Sequence, residues 1–335
     1  MNPPFGTGAV ESSYDSRTYR HDSTLAIPLT SGGVSYKPED IEHQHNVGIC
    51  TAISLVQNAQ KALGKKFSPD FQYLLQKKFV DLNWYEGSSI FSALKVGKNF
   101  GFLPLEEFTY VTENDRFLPY SLYIAKLQAI PDAEIYRLIR LCTNKLAGYA
   151  QLGNDSQSLA KGILDSKAGI LTRYEVGQEW WTPSWNTKDI DPIQPPQVVV
   201  SGHAITESLF DFTLNEKFEL PNTWGILWND LGRGHTIWSQ YHCTEAWIPY
   251  FDSVPQPLPP QFIFTVDMKQ GQTSNDITQL QKRLGVNPTG YYGPLTRAAV
   301  LKYQLDNNIP LSWYERYVLA GSICGAKTRT KLNSA

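Results

Sequence analysis

Cysteine is scarce in this chain: four residues in 335, at positions 50, 142, 243 and 324. They are too few and too scattered for a disulfide framework, and no C-x-x-C pair points to zinc or redox chemistry. No apolar run approaches the roughly 20 residues that cross a bilayer, so no membrane span is expected. The opening MNPPFGTGAVESSYDSRTYRHDS has neither a basic n-region nor an apolar h-region, which argues against a Sec-type signal in that stretch. Charge of one sign is also missing. A net charge of −2 gives no reason to expect nucleic acid or an anionic membrane as the main partner. The H-Q-H run around His43 and His45 has no third ligand at a metal-binding spacing and reads as a solvated loop. No metal or cofactor is expected. The adjacent Glu106 and Glu107 are not specific enough to indicate glycosidase chemistry, and His235 and His242 read as ordinary strand or turn residues.

What is present fits a soluble globular protein, with 41% hydrophobic and 19% charged residues. A length of 335 residues favours two domains. Residues 1–22 are polar and without period, and read as an arm. From 23 to 250 the pattern is α+β, with helices first and strands later. CTAISLVQNAQKALGKK places Ala52, Val56, Ala59 and Leu63 on one helical face, and Gly64 is a natural stop. Further helices are predicted at 89–99, 132–147 and 156–166. GILTRYEV, QVVVSGHAITESLFDF, TWGILW and HTIWSQY read as β-rich runs. Residues 251–262, FDSVPQPLPPQF, are a proline-rich spacer expected to stay extended and hold two domains apart. From 263 to 335, Ile277, Leu280 and Leu284 stand at helical spacing. G-P-L-T-R at 293–297 is echoed by G-A-K-T-R at 325–329, with Thr296 and Thr328 placed to cap the helices that follow.

Two motifs carry the chemistry. QHNVGICTA puts Gln44 six residues before Cys50 (50 − 44), at the start of a helix. SGHA and LPNTWGILWNDLGRG supply His203 and Asn222. A thiol nucleophile needs a base or ion-pair partner, a group that orients that partner, and donors for a developing oxyanion. Cys50, His203, Asn222 and Gln44 match those four roles. A thiol at a helix N-terminus beside an imidazolium is expected to have a lowered pKa.

Here the chain resembles the papain-like cysteine peptidases. The resemblance, which covers about 23–250, implies a two-lobed α+β fold, a helical lobe and a β-barrel-like lobe; the small three-helix domain after it is implied by a second resemblance, that of the tail. It also implies hydrolysis of peptide bonds through a Cys50 acyl-enzyme. Asn222 would fix the imidazole, Trp224 would shield that bond, and Gln44 with the Cys50 N–H would hold the oxyanion. WYEGSSIFSALKVGKNFG resembles the segment lining the non-primed side of the cleft and contributes Gly87 and Ser88 to the substrate-binding candidates, with Gly48 and Trp224 as the others. His203 follows Cys50 by 153 positions (203 − 50), and EWWTPSWNTKDIDPIQPPQ at 179–197 is the obvious insertion. Val47 replaces the cysteine that often forms a disulfide in relatives, and Thr51 replaces the usual tryptophan. Thr223 and Asn229 depart from the family's serine and glycine. A Cys142–Cys243 bridge stays open. Only 43 residues precede Gln44 and they are not helix-like, so a built-in pro-domain of the familiar helical kind is not expected.

The tail, in the order D-I-x-x-L-Q, G-x-x-G-P-x-T-x-x-A-V-x-x-Y-Q, G-x-K-T, resembles the three-helix peptidoglycan-binding domain of cell-wall hydrolases. Tyr291 and Tyr292 are the exposed-turn candidates for wall contact, with a packing role for one of them as the equal alternative. The two resemblances together imply a cysteine endopeptidase acting on polypeptide and targeted to the cell wall, of bacterial or phage lineage. It would be made in the cytoplasm and act at the wall or in a virion. The alternatives are a hydrolase of peptidoglycan stem peptides and a catalytically idle wall-binding scaffold.

Overall fold

The computed structural model describes residues 6–12, 29–181, 192–213, 215–251 and 264–333. After a short strand β1 (Ser31–Gly33) the chain enters α1 (Cys50–Leu63), whose first eleven residues are all buried. A helix covered on every side belongs at the centre of a protein, and here it forms the floor between two lobes. Gly64 ends it in the left-handed conformation at φ 64°. Helices α2 (Pro69–Leu75), α3 (Ile90–Asn99), α4 (Tyr120–Gln128) and α5 (Asp132–Leu141) complete one lobe. Ser68 and Ser89 cap α2 and α3 by accepting from Phe71 and Ser92 N–H. The third predicted helix stops at 141, short of 147. Cys142 turns extended and Thr143 exchanges main-chain bonds with Phe102, which draws the chain out of helical register.

Strand β2 (Gly148–Gln151), α6 (Ser156–Asp165), β3 (Ile170–Val176), β4 (Ser201–Glu207), β5 (Leu209–Asp211), β6 (Lys217–Pro221), β7 (Arg233–Ile237) and β8 (Glu245–Tyr250) build the other lobe. Its two antiparallel sheets run in the orders β1-β5-β6-β7 and β2-β8-β3-β4. The predicted strand TWGILW is a turn instead, because Gly225 takes φ 75° and a Cβ there would lie 2.3 Å from His43 Cδ2. The lobes meet where Cys50, Leu55, Val56 and Ala59 of α1 pack with Ile90, Phe91, Leu171, Ala204 and Trp247. All four cysteines are free and buried, so the Cys142–Cys243 pairing does not form.

Residues 264–333 contain β9 (Met268–Lys269), α7 (Asn275–Leu284), α8 (Pro294–Asp306), β10 (Ile323–Cys324) and α9 (Ala326–Asn333). They have a small core of their own around Ile277, Leu280, Tyr292, Val300 and Leu332. These residues are not held away from the rest. Ala298, Leu301 and Ala320 join the core of the helical lobe, and the Arg297 guanidinium lies over the Tyr136 ring of α5 at 5.6 Å. Thr296 and Thr328 lie inside α8 and α9 rather than capping them, and their hydroxyls accept from Gln281 and Gln304. Of the spacer 251–262, all but Phe251 lies outside the described residues. No described helix is long and apolar enough to cross a membrane.

Candidate active site

Main-chain pairing gathers the site. Gln44 N–H donates to Thr223 O at 2.9 Å and Gly225 N–H to Glu42 O at 3.1 Å, so residues 42–44 run beside 223–225. A buried ion pair holds the outer side of this loop. Arg116 clasps Asp70 through Nε at 3.0 Å and Nη2 at 2.8 Å, and its Nη1 donates to His43 O at 2.7 Å. Cys50 is the first residue of α1, His203 lies on β4, and Asn222 follows β6 directly. Ser54 Oγ donates to Ala204 O at 2.9 Å, fixing α1 against the strand that carries the histidine.

These four residues are brought together, each fully buried. His203 Nε2–H donates to Asn222 Oδ1 at 2.7 Å, which leaves the Nδ1 lone pair available for a proton. Nδ1 has no hydrogen-bond partner among the described residues. Cys50 Sγ accepts from the N–H of Ala204, the next residue after the histidine, at 3.4 Å. The Trp224 ring stacks on the imidazole with centroids 4.5 Å apart, and Trp180 meets both rings edge-on. Gln44 Oε1 accepts from Thr223 Oγ1 at 2.6 Å, which orients its amide nitrogen. The threonine that departs from the familiar serine therefore still serves as a link. Trp180 stands in the stretch read only as an insertion, where no periodicity marks it.

The cleft is occupied by the chain itself. Gly6 O accepts from Gln44 Nε2 and, at 3.1 Å, from Trp224 Nε1. Gly8 and Ala9 N–H both donate to Gly202 O at 3.0 Å, beside His203. Ser88 N–H donates to Gly8 O and Val10 N–H to Ser88 O, each at 2.9 Å, in a parallel bridge between Ala9 and Ser88. Gly87, at φ 88°, allows the approach, since a Cβ there would lie 2.1 Å from Gly8 O. A Cβ on Gly48 would lie 2.3 Å from Thr7 O, and its N–H donates to Glu86 Oε1 at 2.7 Å. Ser12 N–H reaches Glu245 Oε2 at 3.1 Å and Arg173 Nε reaches Ala9 O at 3.2 Å. Residues 6–12, the described part of the stretch read as an arm, are thus a strap bonded to both lobes.

The strap changes the electrostatics expected of the pair. Burial pushes the Cys50 thiol up to about 11, against the opposing pull of N–H groups from Ala204, Thr51, Cys50 and Gly8. Burial likewise lowers His203 to about 4, although the Asn222 bond favours the charged ring. The lowered thiol expected from the helix N-terminus is therefore not found here. Desolvation outweighs the N–H groups that face the sulfur, so burial favours the uncharged thiol and the uncharged ring. His43 and His45 are not in a solvated loop either. Their rings stack at 3.7 Å, His45 Nε2 meets Glu113 Oε1 at 3.0 Å, and burial lowers His43 to about 4. His235 is a β7 residue, and His242 lies against Trp238.

No protein-family description and no curated sequence matches the chain. Among solved structures, xylellain, a cysteine protease from Xylella fastidiosa, superposes with a TM-score of 0.58 at 19% identity, covering 75% of this chain and 98% of that one. The fold is papain-like. Looser likenesses with papain-like chains include the bromelain protease from Ananas comosus, at 15% identity and TM-score 0.46 over 68% of this chain and 100% of that one. Another is procathepsin L 3 of the Tenebrio molitor larval midgut, at 14% and 0.47 over 74% and 76%. In the C-terminal residues Tyr291 is 49% exposed, whereas Tyr292 is fully buried and its hydroxyl donates to Gly321 O at 2.7 Å. Tyr292 is a packing residue, which corrects its candidacy for wall contact.

Proposed function

We propose that the chain is a cysteine-type endopeptidase of papain-like mechanism. The observation that carries this reading is the buried His203–Asn222 bond, which leaves Nδ1 unpartnered next to the strand position that meets Cys50 Sγ. Once the strap leaves, Cys50 passes its proton to His203 Nδ1 and the thiolate attacks an amide carbonyl carbon. Gln44 Nε2 and the Cys50 N–H take the oxyanion that forms. His203 then gives its proton to the departing amine as the C–N bond breaks. Water adds to the thioester, and release of the acid restores the thiol. Asn222 keeps the ring proton on Nε2, and Trp224 keeps water from that bond. The Gly87–Ser88 edge, now paired with Gly8 and Val10, is the surface that would pair with an extended polypeptide.

The helical arrangement of the tail and the exposed ring of Tyr291 favour a C-terminal wall-binding module, which would bring the peptidase to peptidoglycan. Hydrolysis of stem peptides is the second reading, favoured by that same tail. Incubating the strap-deleted chain with purified sacculi and, separately, with a denatured protein distinguishes the two by their products. Hydrolysis of neither would reject the peptidase assignment.

A further inference from the structure

The C-terminal residues hold two copies of one arrangement, and the copies differ in what meets the glutamine side chain. In the first, Gln281 on α7 donates through Nε2 to Thr296 Oγ1 and to Tyr291 O, both at 2.8 Å, and to Thr289 Oγ1 at 3.1 Å, a contact the second copy lacks. Its main-chain oxygen accepts from Val286 N–H at 2.9 Å. In the second, Gln304 on α8 donates to Thr328 Oγ1 at 2.9 Å and to Ile323 O at 3.0 Å, and Ile309 N–H closes the same turn at 2.9 Å. The register is common to both, since Tyr291 precedes Thr296 by five positions (296 − 291) and Ile323 precedes Thr328 by five (328 − 323). The Gln-to-Thr separation grows from 15 to 24, so the second copy carries nine more residues (24 − 15) between them.

That insertion removes one donor. Gln281 Oε1 accepts from Gly290 N–H at 2.8 Å. The counterpart of Gly290, six positions before the threonine, is Ser322, and its N–H is drawn to Leu319 O at 2.8 Å. Gln304 Oε1 is left with no donor among the described residues, on a side chain whose residue is only 4% exposed. A buried acceptor left unpaired has lost its water without gaining a donor, so the position favours anything that brings an N–H to it. Gln304 borders a cavity of about 260 Å³, walled by Leu311, Leu319, Gly325 and Ala326. Lys327 and Glu315, paired at 3.1 Å, also line it.

We propose that this cavity binds a secondary amide flanked by a small apolar group, with the amide N–H donated to Gln304 Oε1. The volume and the glycine and alanine walls admit a methyl-sized substituent, and the Lys327–Glu315 pair meets polar groups on either side. This deepens, and rests on, the wall-directed reading of the tail. Two wall components share the chemistry: an alanyl peptide and the N-acetyl group of an amino sugar.

The test titrates the full chain with an N-acetylated alanyl dipeptide amide and, separately, with an N-acetylglucosamine trimer, following the ¹⁵N side-chain amide signals of Gln304. One of the two is expected to move them. Gly325→Val and, as a second variant, Ala326→Leu should weaken that binding at least tenfold with unfolding temperature and peptidase turnover unchanged. An added Cβ at Gly325 meets only Ile323 Cγ2, at 3.7 Å, so there is room to begin a side chain there, and the unfolding temperature reads whether the valine variant folds like the parent. If neither compound moves the signals, or if both folded variants bind like the parent chain, the inference is wrong. Retention on purified sacculi separates it from the broader reading. Sacculi held equally by parent and variants would refute the cavity while sparing wall binding. A shift at Gln304 without sacculus retention would support the cavity and reject wall binding.

Discussion

Gln44 and Gly6, 38 residues apart in sequence, are joined by a hydrogen bond from a side-chain amide to a main-chain carbonyl. The donor that an oxyanion would need is occupied by the protein's own chain. Eight hydrogen bonds tie Gly6, Gly8, Ala9 and Val10 to the two lobes. At a net worth of about 1 kcal/mol each, they are of the same size as the roughly 1–2 kcal/mol per residue that ordering the segment costs. On these magnitudes a strap that can be displaced is the expected outcome. Deleting residues 1–12 should speed alkylation of Cys50 at neutral pH at least tenfold, equivalent to about 1.4 kcal/mol, as read by mass spectrometry. An unchanged rate would mean that the strap does not govern access.

Gln44 serves both states, and Gln44→Ala should therefore act in opposite directions. In the full chain it removes a strap contact and should raise the labelling rate of Cys50. In the strap-deleted chain it should lower turnover on a peptide by about 10²–10³, the scale for one oxyanion donor. Loss of turnover without faster labelling would leave Gln44 its catalytic role but not its hold on the strap.

Asn222→Ala should reduce turnover of the strap-deleted chain without abolishing it, because the thiol and imidazole stay in place while the ring loses its orientation. A pH–rate profile checks this, since loss of the Nε2 partner that favours the charged ring should shift the imidazole limb toward lower pH. A variant with full turnover and an unmoved profile would remove Asn222 from the site.

Burial lowers His203 and His43 to about 4, from an ordinary value near 6.5. Between those values the unfolded chain binds more protons than the folded one, so stability is present above about pH 6.5 and is lost as pH falls toward 4. Cys50, raised to about 11, acts at the other end: its contribution is present below about pH 9 and lost as pH rises toward 11. Unfolding temperature of the full chain should thus fall between pH 6.5 and 4. His203→Asn should flatten part of that fall, and an equally steep slope in the variant would show that His203 is not desolvated as described.

That Gln44, Cys50, His203 and Asn222 lie together was legible because short motifs carry them, QHNVGIC, SGHA and PNTWG, and α1 and α3 show their buried faces and their stops in the sequence. The strap did not, because residues 6–12 act mainly through main-chain groups that any sequence possesses; its glycines marked only flexibility. Trp180 was hidden for a similar reason, standing alone in a stretch without period. TWGILW reads as a strand by composition, yet the left-handed Gly225 turns it, and only the closeness of His43 reveals that need. Which of Tyr291 and Tyr292 packs could not be read from two adjacent identical residues; the structure buries Tyr292 and exposes Tyr291.

The docking of the tail was not legible either, since a proline-rich spacer suggests separation. Leu301 is 2% exposed in the core shared with the helical lobe. Leu301→Ala should cost about 2–5 kcal/mol, the range for a truncated buried leucine. Chemical denaturation of the full chain measures it, and a cost under about 0.5 kcal/mol, typical of surface positions, would show that the tail does not pack there.

The central claim is that Cys50 is the nucleophile, and an epoxide of the E-64 type tests it most directly. In the strap-deleted chain, intact mass and peptide mapping should show a single adduct on Cys50, with peptidase activity lost in step and no adduct in Cys50→Ala. Labelling at Cys142, Cys243 or Cys324 instead, or activity persisting in Cys50→Ala, would contradict the account.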